Sequence, residues 1–297
     1  MNRASFAKML EPGLNTLFGL EYDSYPSEYE AVFSSNTSQK AYEEDVLLAG
    51  FGAAPTKNEG ASVSYDDAGQ QWTARYQHET VALAFSITEE AEEDGQYGSI
   101  ASRYTKALAR SMSSTKEIKA ANVLNNATSV NGGDGTTLLS TAHPTQNGNQ
   151  SNTLATAADL SETSLESILI QIADMKDERG LRVAAQGTQL IIPTAYTFVA
   201  ERLLESQLRT GTADNDINAI KSGGYLPKGY HVMRRLTDAD QFFVQTDVPD
   251  GLKYFTRSAM KKGMEGDFET GNIRYKCRER YSFGFTDWRG IFGSEGA

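Results

Sequence analysis

The 297-residue sequence holds one cysteine, three histidines and no surplus of base. A lone cysteine excludes an internal disulfide and a cysteine-built zinc site. His78, His143 and His231 do not pair at metal-ligand spacing, and no HExxH occurs. Each reads as a structural or surface histidine, His143 in the turn-like Ser140-Thr141-Ala142-His143-Pro144. No apolar run approaches the roughly 18 residues of a membrane span. Met1–Leu20 has neither a continuous apolar stretch nor a cleavage pattern, so it is not a signal peptide. The expectation is a soluble protein, made in a cytoplasm, with no membrane partner. Net charge is −11, which argues against a generic coat for DNA or RNA, since that needs a basic footprint.

A hydrophobic content of 39% with 10% aromatics is enough for a folded chain. The length allows one large domain or two smaller ones. The charge is unevenly placed. Residues 1–98 carry −12 and residues 99–297 carry +1. An acidic block of this kind is a solvated surface, a tail, or a segment that docks on a basic partner.

Residues 1–45 read as an arm, because Pro12, Gly13, Gly19 and Pro26 interrupt any long periodicity. Its aromatics, among them Phe18, Tyr22, Tyr29 and Phe33, are anchors for another subunit or for the arm's own chain. Over 46–88, Ser62–Tyr65 and Trp72–Tyr76 flank a turn at Asp66-Asp67-Ala68-Gly69, which predicts a long hairpin that must lie on something. Val81, Leu83, Phe85 and Ile87 predict a strand with one buried face. An acidic cluster follows to Asp94. Ile100, Tyr104, Leu108 and Met112 then start a helix over 97–127, a rod of roughly 42 Å. A second helix begins at Ser161 and is expected to end at Gly180. Strands at 189–192, 230–236 and 241–245, with a helix after Pro193 burying Phe198, Val199, Leu203 and Leu204, suggest a compact α/β unit. The last strand puts Ile273, Tyr275, Cys277, Tyr281, Phe283 and Phe285 on one face. Arg274, Lys276, Arg278 and Arg280 form a basic stripe about 20 Å long on the other.

Catalytic motifs fail one by one. Ser113-Ser114-Thr115-Lys116 matches S-x-x-K without its partner motifs, and the expectation is a solvent-facing serine and lysine. Asp214–Asn218 imitates a calcium loop, but its sixth and twelfth positions are Ala219 and Tyr225. Asn131–Gly135 lacks the Gly-Lys-Ser/Thr of a phosphate loop. Cys277 is expected to be a buried small hydrophobe. The expectation is no catalytic residue, no metal and no cofactor. An arm, a hairpin and a long helix that all need partners form the plan of a self-assembling protein.

The order of pieces resembles the major capsid protein of tailed bacteriophages, with the Hong Kong-97-type fold, and most closely the Mu-like major head subunit. Glu93–Gly98 stands where that family has an acidic turn before its spine helix. Leu139–Pro144 with Asn152-Thr153-Leu154 resembles the segment after the spine. Lys176–Gly180 with Leu190–Pro193, Asn215–Asn218, and Tyr281–Gly290 also fit. The resemblance implies an α+β capsid fold. Its parts are an N-terminal arm (1–45), an extended hairpin loop (46–88), the spine helix with the first part of the peripheral domain (89–158), an axial α/β domain (159–251), the long peripheral strand (252–286) and a C-terminal return to the axial domain (287–297).

The resemblance further implies hexamers and pentamers closing into an icosahedral virion shell around double-stranded DNA, assembled in a bacterial cytoplasm. Separate scaffolding, portal and decoration proteins are the other partners. Scaffolding is expected to be separate because Met1 lies close to the arm, and the type member's lysine–asparagine–glutamate cross-link set is not matched. An encapsulin-like compartment shares the fold, and an α/β enzyme is the alternative of a different class. The charge split adds an expectation of its own: Glu43, Glu44, Asp45, Asp66 and Asp67 of one subunit dock near Arg274, Lys276, Arg278 and Arg280 of another. The competing role for the stripe is a face toward DNA.

Overall fold

The computed structural model describes residues 3–88, 90, 97–209, 216–267 and 271–297. The acidic turn of residues 93–96 and the first two residues of the Asp214–Asn218 stretch lie outside them.

Residues 1–45 differ from the sequence expectation. Helix α1 spans Arg3–Asp23 and runs through Pro12. The prolyl ring removes one donor, yet the helix persists because Leu14 and Phe18 are buried on a larger helix, α2 (Tyr97–Asn125), in a shared core with Leu108 and Met112. Tertiary burial outweighs local propensity here. After a 3-10 turn at Tyr29–Ala31 comes β1 (Ser34–Thr37). The arm therefore folds back on its own chain, the alternative the aromatics left open.

The ribbon also differs. Its strands are β2 (Tyr42–Leu48) and β3 (Gln70–Gln77), paired antiparallel. Residues 62–65 form no strand in the subunit. The alternation at 62–65 was legible, but the sequence-distant 42–48 supplies β3's partner. A boundary at 45/46 falls inside β2.

The central sheet has the order β1-β10-β11-β4, with β4 (Glu79–Ile87), β10 (Leu252–Gly266) and β11 (Ile273–Phe285). The spine helix α2 lies on one face. Alternation on β11 is as expected, with Ile273, Tyr275, Cys277 and Tyr281 buried against α1 and α2 or the arm. Leu83 is 46% exposed because β4 is an edge strand.

The axial unit is a sheet of order β12-β9-β7-β8. It contains β7 (Gly187–Ile192), β8 (Tyr230–Val232), β9 (Phe242–Thr246) and β12 (Ile291–Ser294). A small hairpin, β5 (His143–Thr145) with β6 (Gly148–Gln150), precedes it. Helix α3 (Glu162–Ala173) starts on a Ser161 capping box and ends at Asp174, not at Gly180. Gly180 instead takes φ +87 in the following turn, a backbone that glycine adopts without strain. Helix α4 (Thr197–Glu205) buries Ala200 and Leu204, while Phe198 points outward at 76% exposure. The expected strand at 230–236 stops at Val232.

Candidate assembly surfaces

Three polar clusters fix the subunit. Lys116, expected on the surface, is buried 3.4 Å from Glu279. Its ammonium lies 5.1–5.4 Å from the ring centroids of Tyr29, Tyr254 and Tyr281. Burial works against the lysine's charge, but Glu279 and the surrounding phenols outweigh it and raise its pKa. Burial pushes the Glu279 carboxyl up, against the pull of Lys116. This places the S-x-x-K lysine in a structural ion pair joining α2 to β11.

The second cluster unites two of the stretches that carry the resemblance. Arg289 donates to Glu178 at 2.6 Å, to Asp287 at 3.3 Å and to the Lys176 carbonyl at 3.1 Å. All three charged side chains are buried. Burial raises the pKa of both carboxyls, opposed by Arg289. The turn at 176–180 is thereby strapped to the C-terminal turn.

The third centres on Asn152 and His143, both fully buried. Asn152 Nδ2 donates to the carbonyls of Leu138 (2.6 Å) and Ile291 (2.9 Å), and Oδ1 accepts from the Ser140 amide. His143 stacks on Trp288 at 4.2 Å and contacts Asp134 at 2.6 Å. Burial would raise Asp134, but hydrogen bonds from His143 and Thr136 outweigh it and hold the carboxyl low. His78 is likewise buried, between Ser38 and Ser282. Burial pushes its pKa down. These groups have main-chain and side-chain partners in the core. The groove beside α2, of about 700 Å³, presents only Glu79 and Lys119 as titratable groups besides Arg75 and Tyr76. Among the described residues no group of three or more His, Cys, Asp or Glu could hold a metal, and no helix is long and apolar enough to cross a membrane.

Seven acids of the first third are matched within the chain. Glu28 pairs with Arg234 and Arg235, Glu79 with Lys119, and Glu21 with Lys106. Glu43 accepts from Ser38 and Lys40, Glu44 pairs with Arg75, and Asp45 with Lys253. Asp66 pairs with Arg179 and caps the Gly52 amide, while the Asp67 carbonyl accepts from Arg179. None of the five acids meets the basic stripe in the subunit. On the stripe, Arg274 pairs with Asp267. Lys276 and Arg278 are exposed and have no ionic partner among the described residues, and the half-buried Arg280 keeps its Nε buried without one. Lys261, beside Arg278 on β10, extends the basic face. Sequence alternation located the stripe; it could not show that Glu43, Glu44 and Asp45 have partners at home.

Exposed apolar side chains occur over the whole subunit, Leu20, Ile170 and Phe198 among them, and several lie on the ribbon. Leu48, Phe51, Val63 and Tyr65 are 62–96% exposed. Covering these side chains with another surface would remove apolar area from water.

The profile of a family described as phage capsid protein matches residues 70–293. No curated protein matches the chain in sequence. Among solved structures, the procapsid of bacteriophage JBD30 is similar at 15% identity and a TM-score of 0.54, over 99% of this chain and 76% of that one. The virus-like particle from Pyrococcus furiosus is similar at 11% identity and TM-score 0.53, covering 95% and 98%. Mycobacterium phage Che8 gives 13% identity and TM-score 0.52, covering 90% of each. At these identities the likeness concerns the fold.

Proposed function

We propose, on the premise that the chain belongs to the phage capsid protein family, that it is the structural subunit of a tailed-phage head. The family match over residues 70–293 carries this reading. The exposed apolar ribbon supports it, since such a surface gains stability only when copies meet. Copies associate as hexamers and pentamers into a closed shell around double-stranded DNA, in the cytoplasm of a bacterial host, without a catalytic step. Scaffolding, portal and decoration proteins are its further partners. The buried clusters keep the subunit rigid while the ribbon and the basic face stay available to partners.

Negative-stain microscopy of the purified protein at high concentration tests this. Rings or closed shells are expected; a strictly monomeric species would overturn it. The fold shared with the Pyrococcus furiosus particle supports a second reading, a compartment that packs protein. Nuclease-protected DNA in particles from infected cells favours the head, and protein cargo favours the compartment.

A further inference from the structure

The surroundings of the His143 ring suit a cation. Its side chain is closed to solvent, and that of Asp134 is 2% exposed. Nδ1 lies 2.6 Å from Asp134 Oδ2 and 2.9 Å from the Thr136 hydroxyl. Asp134 accepts at both oxygens. Oδ1 takes the Thr136 amide at 3.2 Å, and Oδ2 takes the Thr136 hydroxyl at 2.6 Å. A proton therefore lies between Nδ1 and the carboxylate.

Asn152 fixes the other ring nitrogen. Its Nδ2 is within 2.6–3.4 Å of the carbonyls of Leu138, Ile291 and Trp288, and its Oδ1 accepts from the Ser140 amide at 2.9 Å. Turning that amide over would set an oxygen against three carbonyls and an N–H against an N–H. Oδ1 is thus the atom that faces His143 Nε2, at 3.2 Å, and Nε2 must donate. A neutral ring protonated at Nδ1 would oppose its Nε2 lone pair to this oxygen, with no water to compensate. An acceptor at each nitrogen calls for a second proton. The Trp288 indole, stacked at 4.2 Å, offers that cation its negative face. The other charged groups beside Trp288 are Arg289, 4.3 Å from the indole centroid, and its partners Glu178 and Asp287.

Several parts of the subunit meet at this pair. Residues 131–137 form a closed loop in which the Gly132 amide donates to the Thr136 carbonyl at 2.7 Å. Gly133 packs beneath β3, where an added Cβ would lie 2.7 Å from Trp72 and 3.0 Å from the Thr73 carbonyl. Gly132 lies equally close to the Phe285 ring of β11. His143 opens β5, and Trp288 begins the C-terminal turn.

We propose that Asp134 and His143 form a proton-binding latch. With the proton bound, the loop of residues 131–137 is held to the C-terminal turn beneath β3, and loss of the proton frees that loop and the base of the ribbon. Whichever atom carries it, the pair holds one proton that an unfolded or opened chain releases above about pH 6.5. The latch is therefore fully closed below that value and loosens as pH rises past it, by up to about tenfold in the opening equilibrium per pH unit. This concerns the single subunit and does not depend on the shell reading.

Nitrogen NMR of the full-length protein, labelled at the histidine ring nitrogens, tests the proton directly. At pH 8 one ring should be doubly protonated. Burial pushes the pKa of His78 and of His231 down, so neither supplies that signal. Asp134→Asn should abolish it. Three neutral rings in the unmodified protein, or a cation that survives Asp134→Asn, overturn the proposal. Hydrogen exchange on the unmodified protein tests the latch and needs no variant to fold. Between pH 7 and 8.5, after correction for the intrinsic pH dependence of exchange, opening at Gly132, Leu139, Ser140 and residues 72–76 should rise by about tenfold per pH unit. Opening at residues 189–192 of β7 should stay level. No rise at the first set, or an equal rise in β7, overturns it.

Discussion

Lys116→Met separates two views of the buried ion pair. The substitution keeps the side-chain volume and removes the ammonium that sits 3.4 Å from Glu279 and over three tyrosine rings. Removing one partner of a buried pair typically costs about 3–5 kcal/mol, because the other charge stays buried and uncompensated. The lost ring contacts add about 0.5–1 kcal/mol or more. Glu279 escapes part of this by binding a proton, since burial already pushes its carboxyl up and Lys116 no longer opposes it. The sign follows: the folded state then holds a proton that the unfolded chain releases above about pH 4.3. Stability of the variant therefore falls as pH rises from that value through the folded-state pKa, and its deficit is larger at pH 8 than at pH 5. Replacing both partners, Lys116→Met with Glu279→Leu, should recover stability to within about 1 kcal/mol of the parent or better. Urea unfolding of unassembled subunits, followed through Trp72 and Trp288, measures all three. A single-variant deficit under about 1 kcal/mol at pH 8, or a double variant as damaged as the single, refutes the reasoning.

Asn152→Ala should cost about 2–4 kcal/mol in thermal unfolding, because the carbonyls of Leu138 and Ile291 and the Ser140 amide lose buried partners. Arg289→Met should cost about 3–5 kcal/mol, since Glu178 and Asp287 stay buried without their cation. For His78, a folded-state pKa held down by burial means full stability above about pH 6.5, lost as pH falls below that. His78→Gln should flatten the unfolding profile between pH 5 and 7; an unchanged slope counts against it. Gly133→Ala would bring a Cβ to 2.7 Å from Trp72 and 3.0 Å from the Thr73 carbonyl, and should lower stability by about 1–3 kcal/mol, read by calorimetry.

What could be read from the sequence was local. The spine helix, the alternation of the last strand and the Ser161 start of α3 follow from periodicity and capping within a few residues of one another. Partners distant along the chain did not show. Nothing near Trp72–Tyr76 says that its partner is 42–48, and nothing near Ser34 says that it pairs with Lys253. The Lys116–Glu279 pair had a signal that went unused: Glu279 falls on the apolar side of β11, between Cys277 and Tyr281, where a lone carboxylate needs a cation. The assembly residues were half legible. Spacing gave the stripe, but the own-chain partners of Glu43, Glu44 and Asp45 depend on a ribbon whose pairing only the fold supplies.

The order of the central sheet bears on how the subunit is made. Its edges, β1 and β4, are synthesised first, and the strands that join them, β10 and β11, come last. Roughly 250 residues separate the end of β1 from the end of β11. At about 5–20 residues per second the early strands wait about 12–50 s for their partners. Such long-range closure is slow and leaves strand edges open meanwhile. It also acts as proofreading: a chain that stops before residue 252 has no sheet on which the arm or the spine can settle. Only chains translated through residue 285 offer a finished surface to the next copy.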